Sequence, residues 1–234
     1  MWSAHFQRDT GRYWRLPSSY AGDGPIAMRE IDHEGNPTGR AFDMPPNVWP
    51  MAADPAGGVV ADAPGGTYQV GPDGARRITT GNLVALSARI AVVMDCGDDF
   101  VTCGLYVVDR ATGLPREIPF GAPQLGALDG LFDLQSAAYW GSPGLMGAIS
   151  PDDRWAPIMV ANTRQQFGLI DLTTGEFVRL GAAPPSALWW SPDGRVAIYN
   201  EGSRLTLFDT EQRTSTDITP PGVAAGGFAV RPTP

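Results

Sequence analysis

The stretch Leu188-Trp189-Trp190-Ser191-Pro192-Asp193-Gly194-Arg195-Val196-Ala197-Ile198-Tyr199-Asn200-Glu201-Gly202-Ser203-Arg204-Leu205-Thr206-Leu207-Phe208-Asp209 decides the fold. Three short apolar runs are separated by Ser-Pro-Asp-Gly and Asn-Glu-Gly-Ser, and a fourth run, 214–218, follows Glu211-Gln212. Each separator suits a tight turn: Pro presets φ, Gly accepts positive φ, and Asp or Asn binds its own backbone. Runs this short and this closely linked pair as antiparallel neighbours, so residues 187–218 read as one four-stranded sheet.

The same scheme recurs along the chain. Upstream lie 145–149, the turn Ser150-Pro151-Asp152-Asp153, then 155–160, 167–171, Thr173-Thr174-Gly175 and 177–180. Asp152 and Asp193 are 41 positions apart, and Asp171 and Asp209 are 38 apart, a period that accommodates four strands per unit. A third copy covers 83–118, with Ala111-Thr112-Gly113 as its late turn, and a fourth starts at Val48 and passes through Asp54-Pro55-Ala56-Gly57 to Pro72-Asp73-Gly74. The fifth opens the chain, where Asp9-Thr10-Gly11-Arg12 stands like Pro192-Asp193-Gly194-Arg195. The units expected are 1–44, 48–80, 83–120, 144–181 and 186–219, in a single domain over 1–234. Residues 121–143, with Leu125, Leu134 and Trp140 in or near them, fit no unit and are expected to form an insertion between units.

The Ser191-Pro192-Asp193-Gly194 turn, followed within each unit by an Asp171-Leu172-Thr173-Thr174-Gly175 type of turn, resembles bacterial β-propellers of the TolB-like and WD-repeat-like kind. The resemblance implies an all-β fold, a β-propeller of about five four-stranded antiparallel blades. The Gly-His start and Trp-Asp end of eukaryotic WD repeats are missing, so the adaptor roles of that family do not carry over. Residues 226–231, Gly226-Gly227-Phe228-Ala229-Val230-Arg231, look like the opening strand of another unit. That strand either seals the ring against the N-terminal unit or leaves the chain as one arc of a larger ring.

Bulk composition agrees with short strands: 43% hydrophobic residues, 18% charged residues, 29 Gly and 22 Pro favour many turns over long helices. A net charge of −8 repels nucleic-acid phosphates and anionic lipid, so neither is an expected partner. No run approaches the ~20 apolar residues of a membrane span, and the first eight residues lack the basic start and apolar run of a signal peptide. The expected location is extracytoplasmic or secreted if a signal precedes this sequence, and cytoplasmic otherwise. The expected assembly state is a monomer.

Candidate chemistry is sparse. Cys96 and Cys103 flank a Gly- and Asp-rich segment between two strands; alternation places Cys96 with Met94 and Val92, and Cys103 with Leu105 and Val107, so they face each other across a hairpin. A disulfide there is expected, worth about 2.5 kcal/mol in the loop-entropy model; a reduced, buried pair is the alternative. Asp95, Asp98 and Asp99 do not have calcium-loop spacing and read as solvated turn carboxylates. His5 and His33 belong to no recognisable constellation, and His33-Glu34 has no second His at helical spacing. Trp189 and Trp190 read as packing between blades. No nucleophile elbow, phosphate loop or dinucleotide fingerprint occurs, so no catalytic residue, metal ligand or cofactor is assigned.

These observations point to a non-catalytic propeller module that binds a protein or small ligand through its loops or channel face. Two alternatives stay open: a propeller enzyme of lactonase, lyase or glycan-processing type with an axial metal or polar site, and a structural arc of a larger envelope or sensor protein.

Overall fold

The computed structural model describes residues 4–7, 12–15, 25–96, 103–119, 149–161, 165–182, 185 and 188–222. The first sheet holds β1 (Ala4–Gln7), β2 (Arg12–Arg15), β3 (Ile26–Ile31) and β4 (Pro37–Met44). The second holds β5 (Trp49–Ala53), β6 (Val59–Ala63), β7 (Gly66–Gly71) and β8 (Gly74–Thr79), and the third β9 (Asn82–Leu86), β10 (Ile90–Cys96), β11 (Cys103–Asp109) and β12 (Pro115–Glu117). The fourth shows β13 (Trp155–Ala161), β14 (Gln165–Asp171) and β15 (Phe177–Gly181); the fifth has β16 (Leu188–Trp190), β17 (Val196–Glu201), β18 (Arg204–Asp209) and β19 (Thr214–Asp217). Within every sheet the strands pair in sequence order and antiparallel. The Asp9-Thr10-Gly11 turn, the 121–143 insertion and the 226–231 strand lie outside the described residues.

Face-to-face packing of these sheets explains the sequence of each strand. In β10, Val92 and Met94 join a core with Ile149, Ala156, Ile158 and Ile170 of the fourth unit. The alternate residues Ala91 and Val93 pack with Val60 of the second sheet. Both faces of β10 are dry, which is why Ile90-Ala91-Val92-Val93-Met94 is apolar without a break. The same holds for the fourth sheet, where Ala156 and Ile170 face the third unit while Trp155, Phe167 and Leu169 meet Trp190, Tyr199 and Phe208 of the fifth. By contrast, β3 buries Ile26, Met28 and Glu30 and exposes Ala27 and Arg29, because only one of its faces packs on described neighbours.

Four clusters thus fill the four junctions between five consecutive sheets, with each large side chain contributing about 1.5–3 kcal/mol of burial. Last strands lie at the exposed margin: β12 and β19 are open to solvent along their whole length. First strands β1 and β5 lie side by side. This is the blade architecture of a β-propeller, all-β and assembled from sequence-adjacent antiparallel sheets. Among the described residues no helix is long and apolar enough to cross a bilayer.

Candidate functional site

Antiparallel up-and-down order puts the turn after the first strand and the turn after the third strand of each sheet at the same edge of the molecule. That edge is built from a repeated device. The Ser191 amide donates to the Val196 carbonyl at 2.8 Å, its hydroxyl donates to Asp193 at 2.5 Å, and it accepts from the Val196 amide at 2.9 Å. The late turn has a device of its own. Asp109, Asp171 and Asp209 each accept two backbone amides from the residues two and three positions ahead, at 2.8–3.1 Å. Gly113, Gly175 and Arg213 then supply the left-handed residue that closes the turn, at φ 74°, 73° and 57°.

These hydrogen bonds favour the ionised carboxylates. The Thr112 amide and hydroxyl hold Asp109 below the ordinary carboxylate range, and the Gln212 amide does the same for Asp209. Burial pushes Asp171 up, but the Thr173 amide and the Arg154 guanidinium outweigh it and the net direction is down. For Asp193 the Ser191 hydroxyl is the largest cause, and for Asp32 the Asn36 amide.

Ion pairs tie the turns of neighbouring sheets together. Arg110 is bidentate to Asp54 of the second sheet, at 2.8 and 2.5 Å, and also donates to the Ser87 carbonyl at 2.6 Å. Both side chains are almost fully buried, at 2% and 0% exposure. Arg89 reaches Asp153 of the fourth unit at 2.6 Å, and Arg213 pairs with Glu176 between the fifth and fourth sheets. Asp152 packs where a side chain on Gly194 would stand. The residues exposed to solvent on this edge include Pro151, Asp152, Arg154, Pro192, Asp193, Arg195, and Leu114 at 69% exposure.

The first sheet carries a second polar centre. Glu30, fully buried, accepts from the Thr38 hydroxyl at 2.7 Å and from Arg40 at 3.2 Å, with Arg12 at 3.5 Å. Arg40 also lies 5.8 Å from the Trp14 ring centre, and Trp14 meets Phe42 edge-on at 4.7 Å. Neither centre was anticipated from sequence. A signal for the first existed, however: Asp54 stands where the other turns have Ser150 and Ser191, and Arg110 stands where they have Leu172 and Thr210. The two departures from the repeat are each other's partners.

The residues singled out by sequence are scattered. Cys96 and Cys103 are directly opposed in the β10–β11 ladder, at the edge away from the turns just described; their side chains lie outside the described set. Asp95 is exposed opposite Gly104, and Asp98, Asp99 and Trp140 lie outside the described residues. His33 is exposed in the β3–β4 turn, 3.9 Å from Glu34, and His5 pairs with Trp14 in the β1–β2 ladder. Trp190 packs between the fourth and fifth sheets, whereas Trp189 is half-buried opposite Ile198 on the other face. Among the described residues no three His, Cys, Asp or Glu side chains converge as a metal site would require.

No family model matches the chain, and no curated protein does. Solved structures do. A TolB protein from Agrobacterium tumefaciens is 14% identical over 93% of this chain and 80% of its own, with a TM-score of 0.49. The β-propeller domain of Cps50 (Swd1) from Myceliophteria thermophila is 12% identical over 97% of this chain and 69% of its own, TM-score 0.45. The extracellular domain of a one-component system from B. thetaiotaomicron is 11% identical over 94% of this chain and 31% of its own, TM-score 0.46. The chain is similar to these structures, and its own sheet order and face-to-face packing make it a β-propeller.

Proposed function

We propose that this chain is a non-catalytic propeller module that binds a protein or a small ligand through the edge formed by its first and third turns, outside the cytoplasm. The observation that carries this reading is the linkage of consecutive turns by Arg110–Asp54 and Arg89–Asp153. Binding to a rigid surface avoids the entropy of ordering loops at the moment of contact. Here the turns are ordered in advance, and they present alternating charges at Asp152, Arg154, Asp193 and Arg195, with Leu114 exposed on the same edge. Mixed charge around an apolar contact suits a protein partner's polar rim and anchor residue. The opposed cysteines favour an oxidising location.

Affinity capture from the native organism tests the reading, using the wild-type chain and a variant carrying Leu114→Asp, Asp193→Lys and Arg195→Glu. The expected result is a partner retained by wild type and lost by a variant that keeps the wild-type circular dichroism spectrum. Equal retention by both overturns the assignment to this edge.

A further inference from the structure

We infer that Cys96 and Cys103 form a cross-strand disulfide that staples the β10–β11 hairpin. The register of this hairpin is unbroken from Ile90↔Asp109 to Cys96↔Cys103. One step beyond its open end, the Arg110 amide donates to the Arg89 carbonyl at 2.9 Å, which makes Arg89 and Arg110 a hydrogen-bonded pair. Hydrogen-bonded and non-hydrogen-bonded pairs alternate along an antiparallel ladder. Counting outward, Ala91, Val93 and Asp95 fall in hydrogen-bonded pairs, whereas Ile90, Val92, Met94 and Cys96 fall in non-hydrogen-bonded ones.

That parity matters for the sulfurs. Directly opposed residues in a non-hydrogen-bonded pair have Cα atoms about 4.5 Å apart with side chains drawn together, inside the roughly 4.4–6.8 Å range of disulfides. Equivalent ladder parity holds in the neighbouring units, where Leu172 donates to Arg154 and Thr210 donates to Arg195. Only the third unit has cysteines at the far end of the hairpin.

The oxidation needs a disulfide donor of the glutathione-disulfide or dithiol-oxidase class. One cysteine thiolate attacks the donor and releases one thiol. The second cysteine, also losing its proton, attacks the mixed disulfide and releases the other thiol. One S–S bond forms in the protein, one breaks in the donor, and two electrons pass to the donor sulfurs. The staple holds the strand ends at the edge opposite the charged turns, so a reducing compartment would loosen that edge alone.

Mass spectrometry of the full chain, equilibrated with glutathione disulfide and then treated with iodoacetamide, tests the inference. The expected product is an unalkylated monomer lighter by two hydrogens than the reduced chain, with two alkyl groups added only after reductant. Two alkyl groups without reductant, or a covalent dimer on a non-reducing gel, overturn it. Thermal melting gives a second readout: reductant is expected to lower Tm by about 5–10 °C in wild type and to leave a Cys96→Ser, Cys103→Ser variant unmoved. A wild-type Tm indifferent to reductant also overturns it.

Discussion

Ser150 and Ser191, 41 positions apart, share two hydroxyl hydrogen bonds to equivalent atoms. Each hydroxyl donates to the Asp two residues on, at 2.5 Å in both. Each accepts from the amide five residues on, at 2.8 Å from Trp155 and 2.9 Å from Val196. They differ in burial, since Ser150 is fully buried and Ser191 is partly exposed. Removing the hydroxyl therefore has unequal cost: Ser150→Ala is expected to lose about 1–3 kcal/mol, because the Trp155 amide is left unpaired away from water, and Ser191→Ala about 0.5–1.5 kcal/mol. Urea unfolding of the two variants should rank them in that order.

The Arg110–Asp54 pair gives a sharper contrast between single and double variants. Arg110→Met alone leaves a buried carboxylate without its cation and is expected to cost about 3–5 kcal/mol. Adding Asp54→Asn removes the charge but keeps an oxygen for the Ala56 amide that Asp54 now binds at 2.8 Å. Most of the loss should return in the double variant. A double-mutant cycle by urea denaturation measures the recovery.

Arg213 occupies a left-handed position that glycine fills in the two preceding sheets, at Gly113 and Gly175. A non-glycine residue there costs about 1–2 kcal/mol, whereas its surface ion pair with Glu176 contributes only about 0–1. Relief of strain wins the comparison. Arg213→Gly is expected to raise the unfolding free energy by up to about 1 kcal/mol, visible as a higher urea midpoint.

Gly168, in the middle of β14, has the opposite constraint. A Cβ there would collide with the Val178 carbonyl and the Phe177 ring of the adjoining strand, and backbone cannot move aside cheaply. Gly168→Ala is expected to destabilise by about 1–3 kcal/mol. Replacing Gly113, which has open space around its missing Cβ, should cost only the strain of its positive φ.

Acid should unfold the protein through the turn aspartates. Asp32, Asp109, Asp171, Asp193 and Asp209 all titrate below their ordinary value in the folded chain. Their contribution is complete above the unfolded value of about 4 and is lost as pH falls through the lower folded values. Stability is thus expected to be flat between about pH 5 and 7 and to fall steeply below about 4. Asp171→Asn, which cannot ionise, should be less stable than wild type at neutral pH and should lose less on acidification. Urea midpoints measured across that range check both statements.

Sequence alone determined the short antiparallel strands, their turns and their grouping into repeated units. The determinants are local: Pro192 and Gly194 set a turn within four residues, Asp171 binds amides two and three positions away, and alternation is written into each strand. The tertiary structure decided which face of each strand meets which neighbour, why Glu30 is buried with Thr38, Arg12 and Arg40 around it, and that Arg110 closes on Asp54, 56 positions away. Those pairings depend on how one sheet stacks upon the next. No turn or period encodes that relation, because the energy belongs to side chains that approach only once both sheets have formed.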